Sequence, residues 1–478
     1  MARQYIGITI GPIFDTMSMS SSPVALWAAS YMFSALSKTL CRLITEAGVG
    51  EEDIISPYYA KDDVLLDKNN GVGLFHDRII FRAENFDTKK LVSIKAAAIS
   101  EISEMFGIGR EYLESYLMIY DAVFDAENPI MDSSHILDCL ELSKAFVAAD
   151  ETCSLQVLFN GDRYSRNSYL SKTKAVRDID GFKLKKDDGT FKNIEELLNE
   201  DKKYKKHRYY AIVRSDGDNM SKIISSLKND TDIRDFSKAC LEYCDEVAEK
   251  VSEYNGIPVY SGGDDLLAIL PCESPSGKTP FEFAVEANEI FDKCFSKYEK
   301  PTSLSFGMTM VYYKFPLFEA LEDSQKLLFD IAKNGDKNRV AVRLQKNAGQ
   351  SEGLVISNGE LESFIKLLNV IKSECSSEEG IEEVILSVIH KFSLFERLFD
   401  NMDDSQQVTN MVENVFDADI HKSSMFISYR LIDFINELKE KNGIFALSDE
   451  GIIDNKISTT MNYILRIAKF FTEKGGDE

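Results

Sequence analysis

Residues 260–271 read Tyr-Ser-Gly-Gly-Asp-Asp-Leu-Leu-Ala-Ile-Leu-Pro. Val259 and Tyr260 are strand formers, and so is the apolar run Leu266 to Leu270. The four-residue break Ser261–Asp264 between them predicts a β-hairpin turn. Gly262 and Gly263 permit positive φ and let a backbone or a phosphate approach closely. Asp264 and Asp265 then stand at the hairpin tip, facing solvent or a ligand. Two adjacent carboxylates repel unless a cation neutralises them. Mg²⁺ meets that need with few carboxylates plus substrate phosphate oxygens. The competing reading is an ordinary acidic turn.

A second acidic site lies upstream. Residues 208–222 read Arg-Tyr-Tyr-Ala-Ile-Val-Arg-Ser-Asp-Gly-Asp-Asn-Met-Ser-Lys. Tyr209 to Val213 is a buried-strand pattern, with Asp216-Gly-Asp218 directly after it and a helix from about Met220. Polymerase-like palms and nucleotide cyclases carry one metal-binding Asp at the end of a first strand and the others on a neighbouring hairpin. Between Asp216 and Asp264 there is room for one helix, Thr231 to Tyr254, and the first hairpin strand. That is the β-α-β-hairpin spacing of a ferredoxin-like palm. Either aspartate alone is more often a helix N-cap. Further on, a helix Pro280–Tyr298, a strand Ser303–Tyr312 and a helix Phe318–Ala332 lead into Ala332-Lys-Asn-Gly-Asp-Lys-Asn-Arg339 and a strand Val340–Leu344. Lys333 and Lys337 complement a helix C-terminus or, in a palm, neutralise triphosphate charge.

These motifs carry a resemblance. Tyr-Tyr-Ala-Ile-x4-Gly-Asp-Asn-Met, Gly-Gly-Asp-Asp-Leu-Leu and Ala-Lys-x3-Lys-Asn-Arg-Val resemble the large polymerase/cyclase-like subunit of type III CRISPR effector complexes. Ile6 to Phe14, Leu26 to Tyr31 and Gly73 to Phe81 are similar to the first palm of the type III-B branch. The likeness covers about residues 1–125 and 205–347. It implies ATP as substrate, Mg²⁺ or Mn²⁺ as cofactor, and a cyclic oligoadenylate product made after target RNA binds. S-adenosylmethionine is the alternative AMP acceptor in one branch. It also implies partner subunits, guide RNA and target RNA. The metal would fall to Asp216, Asp264 and Asp265, and the nucleotide to Ser261, Gly262, Gly263, Asn219, Lys333 and Lys337. Asp218 serves as the contrast to Asp216. Diguanylate cyclases are disfavoured, because their Arg and Glu-Phe positions here hold Tyr260, Asp265 and Leu266.

The family's nuclease domain and zinc ribbon are not expected. His76-Asp77 spells a nuclease dipeptide but falls on a predicted strand, with only five histidines in the chain. No Cys-x-x-Cys occurs among the eight cysteines, which read as free, mostly buried thiols in a reducing cytosol,.

The predicted fold is α+β. It comprises a non-catalytic first palm (1–125), an inter-palm domain (126–204), a second palm carrying the site (205–347) and an all-helical C-terminal domain (348–478). The first palm consists of a strand from Tyr5, a helix Ser22–Glu46, strands near Asp53–Tyr59 and Gly73–Arg82, a helix Thr88–Phe106 and a last segment to Phe124. Gly11 and Ser30 are its candidates for nucleotide contact. A helix Ser133–Ala149 and a charged helix Asn193–Asp201 are expected between the palms. Asn347 to Gly353 reads as a linker. Beyond it, helical periodicity marks Leu361–Ser373, Ile381–Phe399, Val408–Phe416, Ser423–Lys439 and Ile457–Phe471.

A net charge of −24 argues against nucleic-acid binding over the whole surface,. Two basic stretches remain as local candidates. They are Arg163, Arg166, Lys172, Lys174 and Arg177 with Tyr164 and Tyr169, and Lys202, Lys203, Lys205, Lys206 and Arg208. The longest apolar run, Pro23 to Leu36, is too short to span a bilayer, so a cytoplasmic protein without membrane contact is expected. Three functions compete: an ATP-using nucleotidyltransferase, a catalytically silent scaffold that binds nucleotide, and a stand-alone GGDEF-like cyclase.

Overall fold

A computed structural model describes residues 3–474, apart from 143–172, parts of 178–190, and short breaks at 68–70, 85, 199–203, 299–301, 347–350, 378–380, 402–404, 416–424 and 442. Strand β1 (Arg3–Gly11) is buried from Tyr5 onward. The helix Pro23–Glu46 follows. Ser22 caps it by accepting from the Ala25 amide at 3.3 Å, and proline opens its first turn,. Then come β2 (Ile54–Ser56), β3 (Arg78–Arg82), the helix Lys90–Phe106 and β4 (Met118–Ala126). The sheet order is β2-β3-β1-β4 with every pairing antiparallel. This is the ferredoxin-like arrangement.

The second palm repeats it. β5 (Tyr209–Gly217), the helix Asp230–Glu253, β6 (Ile257–Gly262), β7 (Asp265–Pro271), the helix Pro280–Phe295 and β8 (Leu304–Tyr312) form the order β8-β5-β7-β6. The helix expected over Phe318–Ala332 changes pitch partway. An α-helix Leu317–Lys326 passes into a π-helix Leu327–Ala332. Strand β9 (Arg339–Gln345) then pairs parallel to β8.

Three expectations need correction. The C-terminal part is not all-helical. β10 (Ser351–Ser357), β11 (Ile444–Leu447) and β12 (Ile453–Asp454) extend the second palm's sheet to eight strands. The short Leu354-Val-Ile356 core of β10 was hidden by its Gly and Ser flanks, which read as linker. Its pairing covers the edge that β9 would otherwise leave open. The helices themselves lie close to the expected spans, at Asn358–Ser377, Ile381–Leu394, Ser405–Val415, Met425–Lys441 and Ile457–Thr472. Gly73 to Asp77 is not strand. The basic stretches also change meaning. Lys206 is buried against Glu273 at 2.7 Å, Lys205 pairs with Glu473 at 3.3 Å, and Lys174 pairs with Glu104. Arg163, Tyr164, Arg166, Tyr169, Lys172, Lys202 and Lys203 lie outside the described residues. Between the palms, helices Pro129–Leu142 and Ile194–Leu197 are described, the latter closed by a capping box from Asn193 and Glu196,.

The palms are joined by polar contacts around the helix Asp230–Glu253. Asp230, 4% exposed, accepts from Tyr5 Oη at 2.8 Å, from Arg3 at 3.1 Å and from Arg82. Burial alone would raise its pKa. The hydrogen bonds from Tyr5 and Arg82 and the two guanidinium charges outweigh that and hold it below the usual carboxylate range,. Arg234 donates to the carbonyls of Tyr59 at 2.6 Å and Ile54 at 3.2 Å. A hub of this kind fixes how the two sheets face each other, and so fixes the cleft between them.

Candidate nucleotide site between the palms

The hairpin is tighter than the sequence suggests. Gly262 pairs with Asp265, leaving only Gly263 and Asp264 in the turn. Gly263 has φ +74°, as the first residue of a type II′ connection requires,. Ser261 is therefore in the strand, fully buried. Its hydroxyl donates to Cys244 O at 3.1 Å and its amide to Gly73 O of the first palm at 3.3 Å. It is a structural anchor with no free donor for a nucleotide.

The register of β5 and β7 sorts the carboxylates. Arg214 lies opposite Leu267 and Ser215 opposite Leu266. One step further, Asp216 and Asp265 are cross-strand neighbours on the face that also carries Arg214. Like charges so placed destabilise a sheet unless a cation intervenes. Here Lys333 forms an ion pair with Asp216, and its ammonium also donates to Gly217 O at 3.0 Å. Burial, then the nearby Lys337, pull the Lys333 pKa down to about 8. Lys337 and Asn338 both have positive φ, at 57° and 52°.

Asp264 packs beside the end of β5. Its carboxylate lies against Gly217, where an added Cβ would meet Asp264 Oδ2 at 2.6 Å. Burial pushes its pKa up to about 6, although amide donors from Gly217 and its own backbone oppose the rise. Asp265 is raised as well, first by its crowded surroundings and then by the charge of Asp264, with Arg214 opposing. Arg214 itself is lowered to about 10 by burial.

Asp218 has a different role. It is fully buried and accepts from Ser303 Oγ at 2.7 Å, Ser305 Oγ at 2.9 Å and the Asn338 amide at 2.9 Å. Its lone pairs are spent on β8 and on the loop that carries Lys333 and Lys337, so it positions that loop. Asn219 has φ +62°, heads the short helix Met220–Ile224 and makes no side-chain cap bond.

A cleft of about 950 Å³ opens between the palms. Ile10, Gly11, Phe14 and Asp77 line it from the first palm, and Arg214, Tyr260, Asp265, Phe318 and Phe329 from the second. Of the expected site residues, only Asp265 and Gly11 line it directly. Ser30 is buried in the first palm and is not among the lining residues. Arg214 and Tyr260 escaped the sequence reading. A signal existed for Arg214, because one cation interrupts an otherwise apolar strand. His76 is structural. The Arg78 amide donates to its Nδ1 at 3.3 Å, Ser56 Oγ lies 3.0 Å from its Nε2, and burial lowers its pKa to about 4.

Among the described residues, no three His, Cys, Asp or Glu side chains converge as a metal cage. The donor set nevertheless suits a hard cation. Asp216 and Asp265 are oxygen ligands facing each other across two strands, and Mg²⁺ commonly takes one or two carboxylates and completes its shell with substrate phosphate and water. No described helix is long and apolar enough to cross a membrane.

Comparison with known proteins agrees with this geometry. Residues 209–341 match the model of the Cas10/Cmr2 second palm domain, and residues 5–107 match that of the N-terminal part of the CRISPR-associated protein Cmr2. The CRISPR system Cmr subunit Cmr2 of Pyrococcus furiosus is 30% identical over 244 residues, covering 44% of this chain and 26% of that protein. The chain thus matches about a quarter of the length of that relative. Two solved Csm1–Csm4 cassettes share the fold at 15% identity. One, in complex with cA4, gives a TM-score of 0.53 over 90% of this chain and 70% of the other. One in complex with one ATP gives 0.57 over 98% and 70%. The chain therefore resembles type III Cas10-like subunits, with a Cmr2-like N-terminal part and a Cas10/Cmr2-like second palm domain.

Proposed function

We propose that this chain is the nucleotidyltransferase subunit of a type III CRISPR complex and converts ATP to a nucleotide second messenger when target RNA is bound. The observation that carries the reading is the cross-strand pair Asp216 and Asp265, with Lys333 beside it, next to a cleft large enough for nucleotides. The Csm1–Csm4 cassettes that hold ATP and cA4 support the same chemistry.

Asp216, Asp265 and Asp264 would hold divalent metal, which would supply charge neutralisation at the phosphates and favour in-line attack. Lys333 and Lys337 receive the triphosphate as the ammonium of Lys333 leaves Asp216. Arg214 opposes the rise in the Asp265 pKa and so favours its carboxylate form. A ribose 3′-hydroxyl attacks the α-phosphorus, the bond to the β-phosphate oxygen breaks, and pyrophosphate leaves. The product is a cyclic oligoadenylate; transfer of AMP to S-adenosylmethionine is the alternative outcome of the same site. Other subunits, guide RNA and target RNA activate the second palm by shifting the population of its competent state.

The Asp216–Lys333 ion pair favours one further reading, a silent subunit that binds nucleotide without turnover. Product analysis from labelled ATP decides between them, with partner subunits, guide, target RNA and S-adenosylmethionine omitted in turn. Activity only in the target-bound complex supports the proposal. No product under any condition leaves the silent subunit, and equal product from the isolated chain points to a stand-alone cyclase.

A further inference from the structure

We propose that Asp77, contributed by the first palm, accepts hydrogen bonds from the ribose hydroxyls of a nucleotide in the inter-palm cleft and makes that site selective for ribonucleotides. The inference rests on the reading that the cleft takes ATP.

The two palms are in equivalent register. β1 and β5 have nine residues each, paired end to end with β4 and β8. In the first palm Thr9 lies opposite Arg78, and in the second Ser215 lies opposite Leu266. One step beyond, Asp77 occupies in the first palm the place that Asp265 occupies in the second. The amide of Ile10 donates to Asp77 O at 3.0 Å, which continues the ladder by that step. Both carboxylates line the same cleft.

The backbone around Asp77 is held firmly. Gly73 O accepts from the Ser261 amide at 3.3 Å, the Phe75 amide donates to Ser34 Oγ at 2.8 Å, and His76 O accepts from Ser37 Oγ at 2.7 Å. Among the described residues, the Asp77 side chain accepts only from its own amide. Arg78, its chain neighbour, is turned to Asp138 and Glu141. Burial raises the Asp77 pKa, and its charge is felt by Tyr260 and Asp265. A half-buried carboxylate that lines the cleft and has spare lone pairs can take further donors,. Phosphate oxygens bring none and would be repelled. The hydroxyls of a ribose bring two neutral donors, and carboxylates elsewhere recognise ribose in this way.

The test is equilibrium binding of ATP and of 2′,3′-dideoxy-ATP, with Mg²⁺, to the full chain as wild type, Asp77→Ala and Asp77→Asn. Thermal unfolding of each variant is recorded alongside. Wild type is expected to prefer ATP by roughly tenfold or more, the scale of a hydrogen bond to a charged acceptor. Asp77→Ala should bind both nucleotides equally, at the dideoxy level, and Asp77→Asn should retain part of the preference. If Asp77→Ala misfolds, Asp77→Asn carries the measurement. Variants that keep the full preference overturn the inference and leave ATP binding standing, as does a wild type that binds both nucleotides equally. A wild type that binds neither nucleotide overturns the ATP reading and this inference with it.

Discussion

The first and second palms share strand order, register and nine-residue strands at β1, β4, β5 and β8, yet they differ where β1 and β5 end. The eighth residue of β1 is Ile10, and the eighth of β5 is Asp216. The connections differ too. In the second palm two residues join β6 to β7, whereas in the first the chain leaves β2 at Ser56 and returns to β3 only at Arg78. That long excursion carries Gly73 onto the second palm's hairpin. The difference teaches that apolar strands set the fold in both halves, while a few residues at strand ends decide which half can hold cation and phosphate. The first palm becomes a wall and a support for the site of the second.

The largest effect should come from removing the paired carboxylates of the second palm's hairpin. Asp264→Asn combined with Asp265→Asn should lower pyrophosphate release by on the order of a hundredfold or more, with far-UV circular dichroism unchanged. Near-normal turnover would break the functional asymmetry between the palms. Asp216→Asn should lose most activity as well.

Lys333→Ala should raise the KM for ATP by roughly ten- to a hundredfold, since it removes a charge-assisted contact to phosphate. A pH dependence follows from the lowered pKa of about 8. The ammonium is charged below that value, so ATP affinity should be full at neutral pH and fall as pH rises through 8. A flat profile from pH 7 to 9 in a direct binding assay would remove Lys333 from the phosphate site.

Acid should separate the palms. In the first, His76 has its pKa lowered from 6.5 to about 4. A depressed histidine favours the fold when neutral, so that stability is present above 6.5 and lost as pH falls towards 4. In the second, Glu273 is partly buried, which alone would raise its pKa. Hydrogen bonds from His207, Lys206 and Lys372 outweigh burial and take it from 4.5 to about 2. Its contribution is present above 4.5 and lost between there and 2. Each is worth on the order of 3 kcal/mol. Hydrogen exchange between pH 7 and 4 should therefore show amides of β1 and β3 losing protection before those of β5 and β7. The reverse order would contradict the placement of both groups.

Asp218→Asn should act on stability and on the lysine loop. Losing one acceptor among three buried donors costs about 1–3 kcal/mol. The thermal midpoint should fall, and the Mg²⁺ concentration for half-maximal activity should stay put. A shift in that Mg²⁺ midpoint would instead make Asp218 a metal ligand. The smallest effect is expected from Gly263→Ala, which places a Cβ at φ +74°. The cost is about 1–2 kcal/mol, visible as a lower midpoint in urea.

Much of this was legible in residue order. Alternation and turn residues locate the start of β5, both ends of β7, the helix Asp230–Glu253 and the hairpin to within a residue or two, because those segments are apolar on one face and bounded by Gly, Asn and Asp. The acidic pair and Lys333 stand out because like charges cluster where local structure gives no reason for them. Other features are settled by contacts between distant segments. β10 looked like linker, since a strand of this length is recognisable chiefly by the edge it covers. The separation of Asp264 from Asp265 depends on a two-residue turn whose register comes from pairing. Ser261 and Asp218 differ from their acidic and glycine neighbours only in what lies opposite them. Asp77, dismissed on its dipeptide, gains its place because two sheets with the same register face one cleft. Local sequence therefore determined the strands, helices and charge that each palm brings, since those follow from periodicity and propensity. Tertiary structure alone decided which carboxylates meet, which are used up inside the core and which look into the cleft, because that depends on cross-strand register and on the Asp230 hub joining residues more than two hundred positions apart.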